Sequence, residues 1–142
     1  MSSSGARWEH FPHGADVGVR GRGATMAEAF AEAALAATAV LTPPESVRAE
    51  KSIAIDAKGA DPELLLVNFL NAVIYEMAAE RMIFARFDVR IDGPHLTGEA
   101  VGEAVDRARH EPAVEIKGAT LTMAKVAEER PGEWIAQCVV DV

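Results

Sequence analysis

The second half of the chain restricts its fold most. From residue 82 to residue 142, four β patterns follow one another with no helical period between them. Ile83, Ala85, Phe87, Val89 and Ile91 alternate with Phe84, Arg86, Asp88 and Arg90, the period of a half-buried strand. Asp92-Gly93-Pro94 is a turn, and a strand over 95–104 completes a hairpin. A polar loop over 105–113, a long strand over 114–127, a charged turn over 128–132 and a last strand over 133–142 follow. Consecutive strands do not build a doubly wound sheet, which needs a helix between each parallel pair. The expected class is α+β.

The first half supplies the helices. Residues 1–6 read as a flexible lead, and 7–142 as a single domain, long enough to bury a core. Strands over 8–11 and 17–22 flank the turn His13-Gly14-Ala15-Asp16. Thr25-Met26-Ala27-Glu28 is a capping box, and Met26, Phe30, Ala34, Ala37 and Leu41 then form an apolar stripe that Thr42-Pro43-Pro44 ends. A strand pattern over 47–58 precedes Asp61-Pro62-Glu63, which combines a capping residue, a proline at the first helical position and a first-turn acid. The helix that opens there runs to about Arg81. It is apolar around most of its circumference from Leu64 to Tyr75, and its Asn68 and Asn71 need partners. The expected order is β-β-α-β-α-β-β-β-β, with one mixed or antiparallel sheet and both helices packed against it.

Composition excludes several functions. A net charge of −8 without a basic stripe argues against strong direct nucleic-acid binding. Hydrophobic residues at 49% and charged residues at 25% describe a folded rather than a disordered chain. Cys138, the one cysteine, lies in the apolar last strand and reads as a buried hydrophobe rather than a nucleophile. The start has neither a basic n-region nor an apolar h-region, and no segment has the length of a membrane span, so a cytoplasmic location with no membrane partner is expected. Gly21-Arg22-Gly23 lacks the Gly-Lys-Ser/Thr ending of a phosphate loop.

Candidate chemistry sits at the two ends of the sequence. The last strand, Trp134 to Val142, is apolar and has no polar tail, so its end is expected to be held in the fold. An α-carboxylate beside Asp141 puts two anionic groups within one residue, and their repulsion favours a cation, a proton or a basic partner. Asp16 can complete such a site for calcium, magnesium or manganese, although Gly-Ala-Asp before a strand is also ordinary turn chemistry. His13 can serve as a ligand or an acid–base group, or be solvated. Lys117 can neutralise the carboxylates, bind a phosphate, or extend into water.

These residues also fall into a wider pattern. It comprises His13-Gly14-Ala15-Asp16-Val17-Gly18-Val19, Gly59-Ala60-Asp61-Pro62-Glu63-Leu64-Leu65 leading into Phe69-Leu70-Asn71 and Tyr75, Gly102-Glu103 with Asp106 and His110, Ile116-Lys117-Gly118-Ala119-Thr120, and Trp134 with Asp141-Val142. From Trp8 to Val142 the chain resembles archease, the small activator of the RtcB-type RNA ligase. The resemblance implies a divalent metal held by Asp16, Asp141 and the terminal Val142; beside that set, Lys117 and His13 are expected as partner-facing or charge-balancing groups. It implies no reaction of the protein's own. It implies instead help to the ligase in its metal-dependent guanylylation and turnover during tRNA splicing or RNA repair, with GTP and RNA engaged through the ligase. Archeases have also been proposed as chaperone-like modulators of a tRNA methyltransferase. A third reading, from the carboxylates alone, is a small metal-dependent phosphohydrolase. Two positions depart from the family pattern: Gly14 replaces the usual threonine, and Leu121-Thr122 replaces an aromatic–histidine pair, removing an imidazole.

Overall fold

The structure, a computed structural model, describes residues 5–110 and 114–142. The described elements are β1 (Arg7–His13), β2 (Asp16–Gly23), α1 (Met26–Leu41), β3 (Lys51–Lys58), α2 (Pro62–Glu80), β4 (Met82–Asp92), β5 (His95–Ala104), α3 (Arg107–His110), β6 (Gly118–Arg130) and β7 (Glu133–Asp141), with a 3-10 turn at Pro44–Ser46. The α+β class and the order of strands and long helices agree with the sequence reading. The strands divide, however, between two antiparallel sheets, β1-β2-β7-β6 and β3-β5-β4, rather than forming one. The reason lies in the helices. Both α1 and α2 touch strands of each sheet, and α2 buries Leu65, Leu66, Phe69, Leu70 and Val73 around more than one side, which one sheet could not cover.

Local signals set the helix ends. Thr25 accepts from the Glu28 N–H at 3.1 Å, and Glu28 reaches back to the Ala24 N–H at 2.9 Å, one residue beyond the usual capping-box partner. Asp61 caps α2 through the Leu64 N–H at 2.8 Å, and Arg81 ends it in the left-handed conformation, φ 52°. Phe30 of α1 stacks on Phe69 of α2 with centroids 6.1 Å apart, and Phe69 meets the edge of Phe87 on β4. Gly21 brings α1 onto the four-stranded sheet: a Cβ there would lie 2.1 Å from the Ala29 oxygen and 2.2 Å from the Ala33 nitrogen.

α2 also seals sheet edges. Glu63 accepts from the Val126 N–H of β6 at 3.0 Å, and the Asn71 amide both accepts from the Ala119 N–H at 2.8 Å and donates to the Ala119 oxygen at 3.2 Å. Asn68 donates to the Lys58 oxygen at the end of β3, at 2.6 Å. The two asparagines thus find their partners in strand backbone that would otherwise lack one.

β1 and β2 run longer than expected, closing the turn to Gly14-Ala15, and three further boundaries shift, each for a local reason. β3 begins at Lys51 rather than 47, because the Arg48 N–H is taken by the Glu103 carboxylate at 2.7 Å. The 105–113 loop contains α3, with Asp106 accepting from the Ala108 and Arg109 N–H groups at 3.1 and 3.3 Å; residues 111–113 of that loop lie outside the described residues. The long strand runs Gly118–Arg130 rather than 114–127, and it is interrupted. Thr120 opposes Val139 and the next rung is Lys125 with Gln137, so residues 121–124 arch outward opposite Cys138 alone. Met123 in that arch has φ 55°, Leu121 and Met123 are 57% and 55% exposed, and Gln137 ties the arch down by donating to the Met123 oxygen at 3.0 Å.

Candidate functional site

The β1–β2 hairpin turns on two residues, Gly14 and Ala15, between the paired His13 and Asp16. Gly14 has φ +61°, the requirement of a type II′ turn at its first central position, and it meets no atom that would object to a side chain. The turn delivers Asp16 to the end of β2, where the last rung with β7 is Val17–Val140. One position further along this register, Asp16 and Asp141 are neighbours. Val17 and Val140 pack on the core, so strand alternation turns both aspartates to the opposite face. With the rungs His13–Asp16 and Gly118–Asp141, this places His13, Asp16, Asp141 and Gly118 in one row across all four strands.

The row gathers most of the residues singled out from sequence. The Val142 N–H donates to Asp16 Oδ1 at 3.3 Å, which ties the end of the described chain to β2. Both aspartates and Val142 are half-buried, while His13 is exposed beside them. Lys117 is placed differently from expectation: it precedes β6 and its side chain is exposed, and its backbone N–H rather than its ammonium touches the site, donating to the Asp141 oxygen at 2.8 Å. Its ammonium makes no ion pair among the described residues. Like charges on adjacent strands repel, and glycine at 118 leaves the flank of Asp141 without a side chain. Among the described residues no group of three His, Cys, Asp or Glu side chains gathers as a metal cage, so the chain itself offers two side-chain carboxylates and whatever the Val142 end supplies. Those donors are all hard oxygens, which suit calcium, magnesium or manganese and not a soft metal.

A second polar cluster was not assigned from sequence. Glu103, at the end of β5, is buried and accepts from the Arg109 guanidinium, from the Arg48 N–H and from His110 Nε2 at 3.1 Å. His110 Nδ1 accepts the Asp106 N–H at 2.8 Å, so the ring carries its proton on Nε2 and donates it to Glu103. Thr42 closes the cluster by donating to the His110 oxygen at 2.9 Å. The signal available in sequence was the cap, Asp106 followed by Arg109 and His110, which marks a helical turn able to aim both side chains back at β5. The arrangement satisfies every partner and clamps the 105–110 segment to the sheet. It is architecture rather than chemistry.

The Arg109 hydrogen bond, opposed by burial and helped by Arg48 and His110, holds the Glu103 carboxyl down from 4.5 to about 2. A depressed acid stabilises the fold fully above its unfolded value, and the contribution is lost as pH falls through the folded value. Glu103→Gln is therefore expected to lower the melting temperature by several degrees at neutral pH. The gap to the native chain should close as pH falls from 4.5 towards about 2, which melting curves across that range would measure.

Fold and site together describe a small α+β domain with an acidic row at one sheet end and its only described cysteine buried and pushed up to about 12 by desolvation. No helix of the described residues is long and apolar enough to cross a membrane. The model of the archease protein family (MTH1598/TM1083) matches residues 8–142. The chain is 39% identical over 140 residues to protein archease of Pyrococcus furiosus, covering 96% of this chain and 99% of that one. It is 31% identical to protein archease of Methanosarcina barkeri over the whole of both. The solution structure of Methanobacterium thermoautotrophicum protein 1598 superposes with a TM-score of 0.82 at 30% identity, covering 95% of this chain and 98% of that one. The chain belongs to the archease family.

Proposed function

We propose that this protein is a metal-binding, non-catalytic activator of an RtcB-type RNA ligase, promoting the ligase's metal-dependent guanylylation and multiple turnover. What supports the reading is the juxtaposition of Asp16 and Asp141 at the end of the sheet, in a chain of the archease family. Asp16 and Asp141 serve as side-chain ligands, Val142 adds an oxygen ligand beside them, and Lys117 and His13 face the partner or balance charge. When bound, a divalent ion supplies the positive charge that guanylylation needs near phosphate oxygens. The chain's own residues hold and orient it. The charge of −8 suits approach to the basic, phosphate-binding surface of a ligase.

The reading is tested first on the isolated protein. Millimolar calcium, magnesium or manganese should raise its melting temperature, since a ligand that binds only the folded state stabilises it by mass action. Asp16→Asn should remove most of that gain. Three flat melting curves for the native chain would overturn the metal assignment.

A further inference from the structure

The four-residue arch in β6 has a consequence for the acidic row. It cuts the strand in two, and the piece that borders Asp141 keeps only three rungs with β7: Gly118–Asp141, Ala119–Val140 and Thr120–Val139. So short a run sits at the open edge of the four-stranded sheet, where register is weakly specified. A slip of one residue would turn each side chain to the other face and carry the Lys117 N–H away from the Asp141 oxygen. One group outside the sheet holds this piece by both backbone atoms of its central residue. The Asn71 amide accepts from the Ala119 N–H at 2.8 Å and donates to the Ala119 oxygen at 3.2 Å, the two-bond exchange that a further strand would make. Thr120 adds one bond, from its hydroxyl to the Val139 oxygen at 2.8 Å, but that bond lies within the sheet and moves with it.

We propose that Asn71 is a positioning residue for the acidic row: from α2 it fixes the register of Gly118–Thr120 against β7 and so sets where Asp141 and Val142 lie relative to Asp16. Its effect on a bound cation rests on the metal reading above; its effect on the strand does not. Asn68, one turn earlier on α2, is the internal control, because it also bonds strand backbone but at Lys58, on the other sheet.

The test uses the full chain with Mn²⁺ as the probe and two measurements. In Asn71→Ala, the Lys117 and Val142 amides, neither of which touches Asn71, should exchange hydrogen at least about tenfold faster than in the native chain, and calorimetric Mn²⁺ affinity should fall about tenfold, the scale of an outer-shell loss. Asn68→Ala should change neither. Should Asn71→Ala not fold, Asn71→Asp keeps the shape and the acceptor while losing the donor, and should show the same faster exchange to a smaller degree. Native exchange at Lys117 and Val142 in a folded Asn71 variant would overturn the proposal. If the native chain binds no Mn²⁺, the metal reading falls while the exchange rates still decide the role of Asn71.

Discussion

On the proposed function, catalytic amounts of this protein added to an RtcB-type ligase of the same organism are expected to raise multiple-turnover RNA joining and guanylylation, and Asp141→Ala to return both to the unassisted rate. The substitution removes one of only two side-chain carboxylates in the row, and a hard cation that seeks six or more oxygens has no ready replacement there. It spares the strand, because the Lys117 N–H donates to the main-chain oxygen of Asp141, which alanine retains. Loss of activation with an unchanged melting temperature therefore separates the ligand from the scaffold. Rate assays with the ligase, with and without each form, check this. The same preparations distinguish the other readings: GTP or phosphoester hydrolysis by the protein alone, lost in Asp141→Ala, would make it a phosphohydrolase, and capture of a tRNA methyltransferase in place of the ligase would make it a modulator of that enzyme.

A large loss of stability is expected from Gly21→Ala. The added methyl would stand 2.1 Å from the Ala29 oxygen and 2.2 Å from the Ala33 nitrogen, and both are helix backbone that cannot swing aside. Relief requires α1 to lift from the sheet, loosening the packing of Ala29, Ala33 and Phe30, all fully buried. The cost should reach about 3 kcal/mol or more, which for a domain of this size lowers the melting temperature by roughly 10 °C. Gly14→Ala is the contrast. No atom lies within 4 Å of the new methyl, and the strain is that of φ +61° alone, about 1 kcal/mol. Urea denaturation of both variants measures the difference; a Gly21→Ala form as stable as Gly14→Ala would mean that the helix is not seated as described.

Much of this architecture was legible because local signals and burial agreed. The Asp61-Pro62-Glu63 start of α2, the Thr25 cap and the 95–104 strand depend on neighbours in sequence, and each falls where the pattern puts it. The division into two sheets was not legible, since alternation reports that a strand has one buried face and says nothing of which strands share a ladder. The apolar circumference of α2 held the clue: a helix buried on most sides needs cover on two. Hydrogen bonds that leave the ladder explain the misplaced boundaries. Arg48 gives its N–H to a carboxylate 55 residues away, and the arch after Thr120 is pinned by Gln137 from the neighbouring strand, long-range contacts that no window of sequence contains. For the acidic row, the sequence singled out the residues as candidates, while the hairpin turn and the β2–β7 register supply their adjacency. Lys117 contributes through its main chain, which is invisible in a side-chain reading.

The pairing of β2 with β7 has a temporal consequence. Val142 and Asp16, which share a hydrogen bond, are 126 residues apart, and β7 lies between β2 and β6 in the middle of its sheet. During synthesis the β1–β2 hairpin and α1 emerge well before β7, and they wait until Glu133–Asp141 is made for the strand that covers their inner edge. A chain interrupted before residue 133 has no centre to that sheet and an Asp16 with no counterpart. The acidic row can therefore form only on molecules whose synthesis has reached β7, so that any property it carries appears late and all at once.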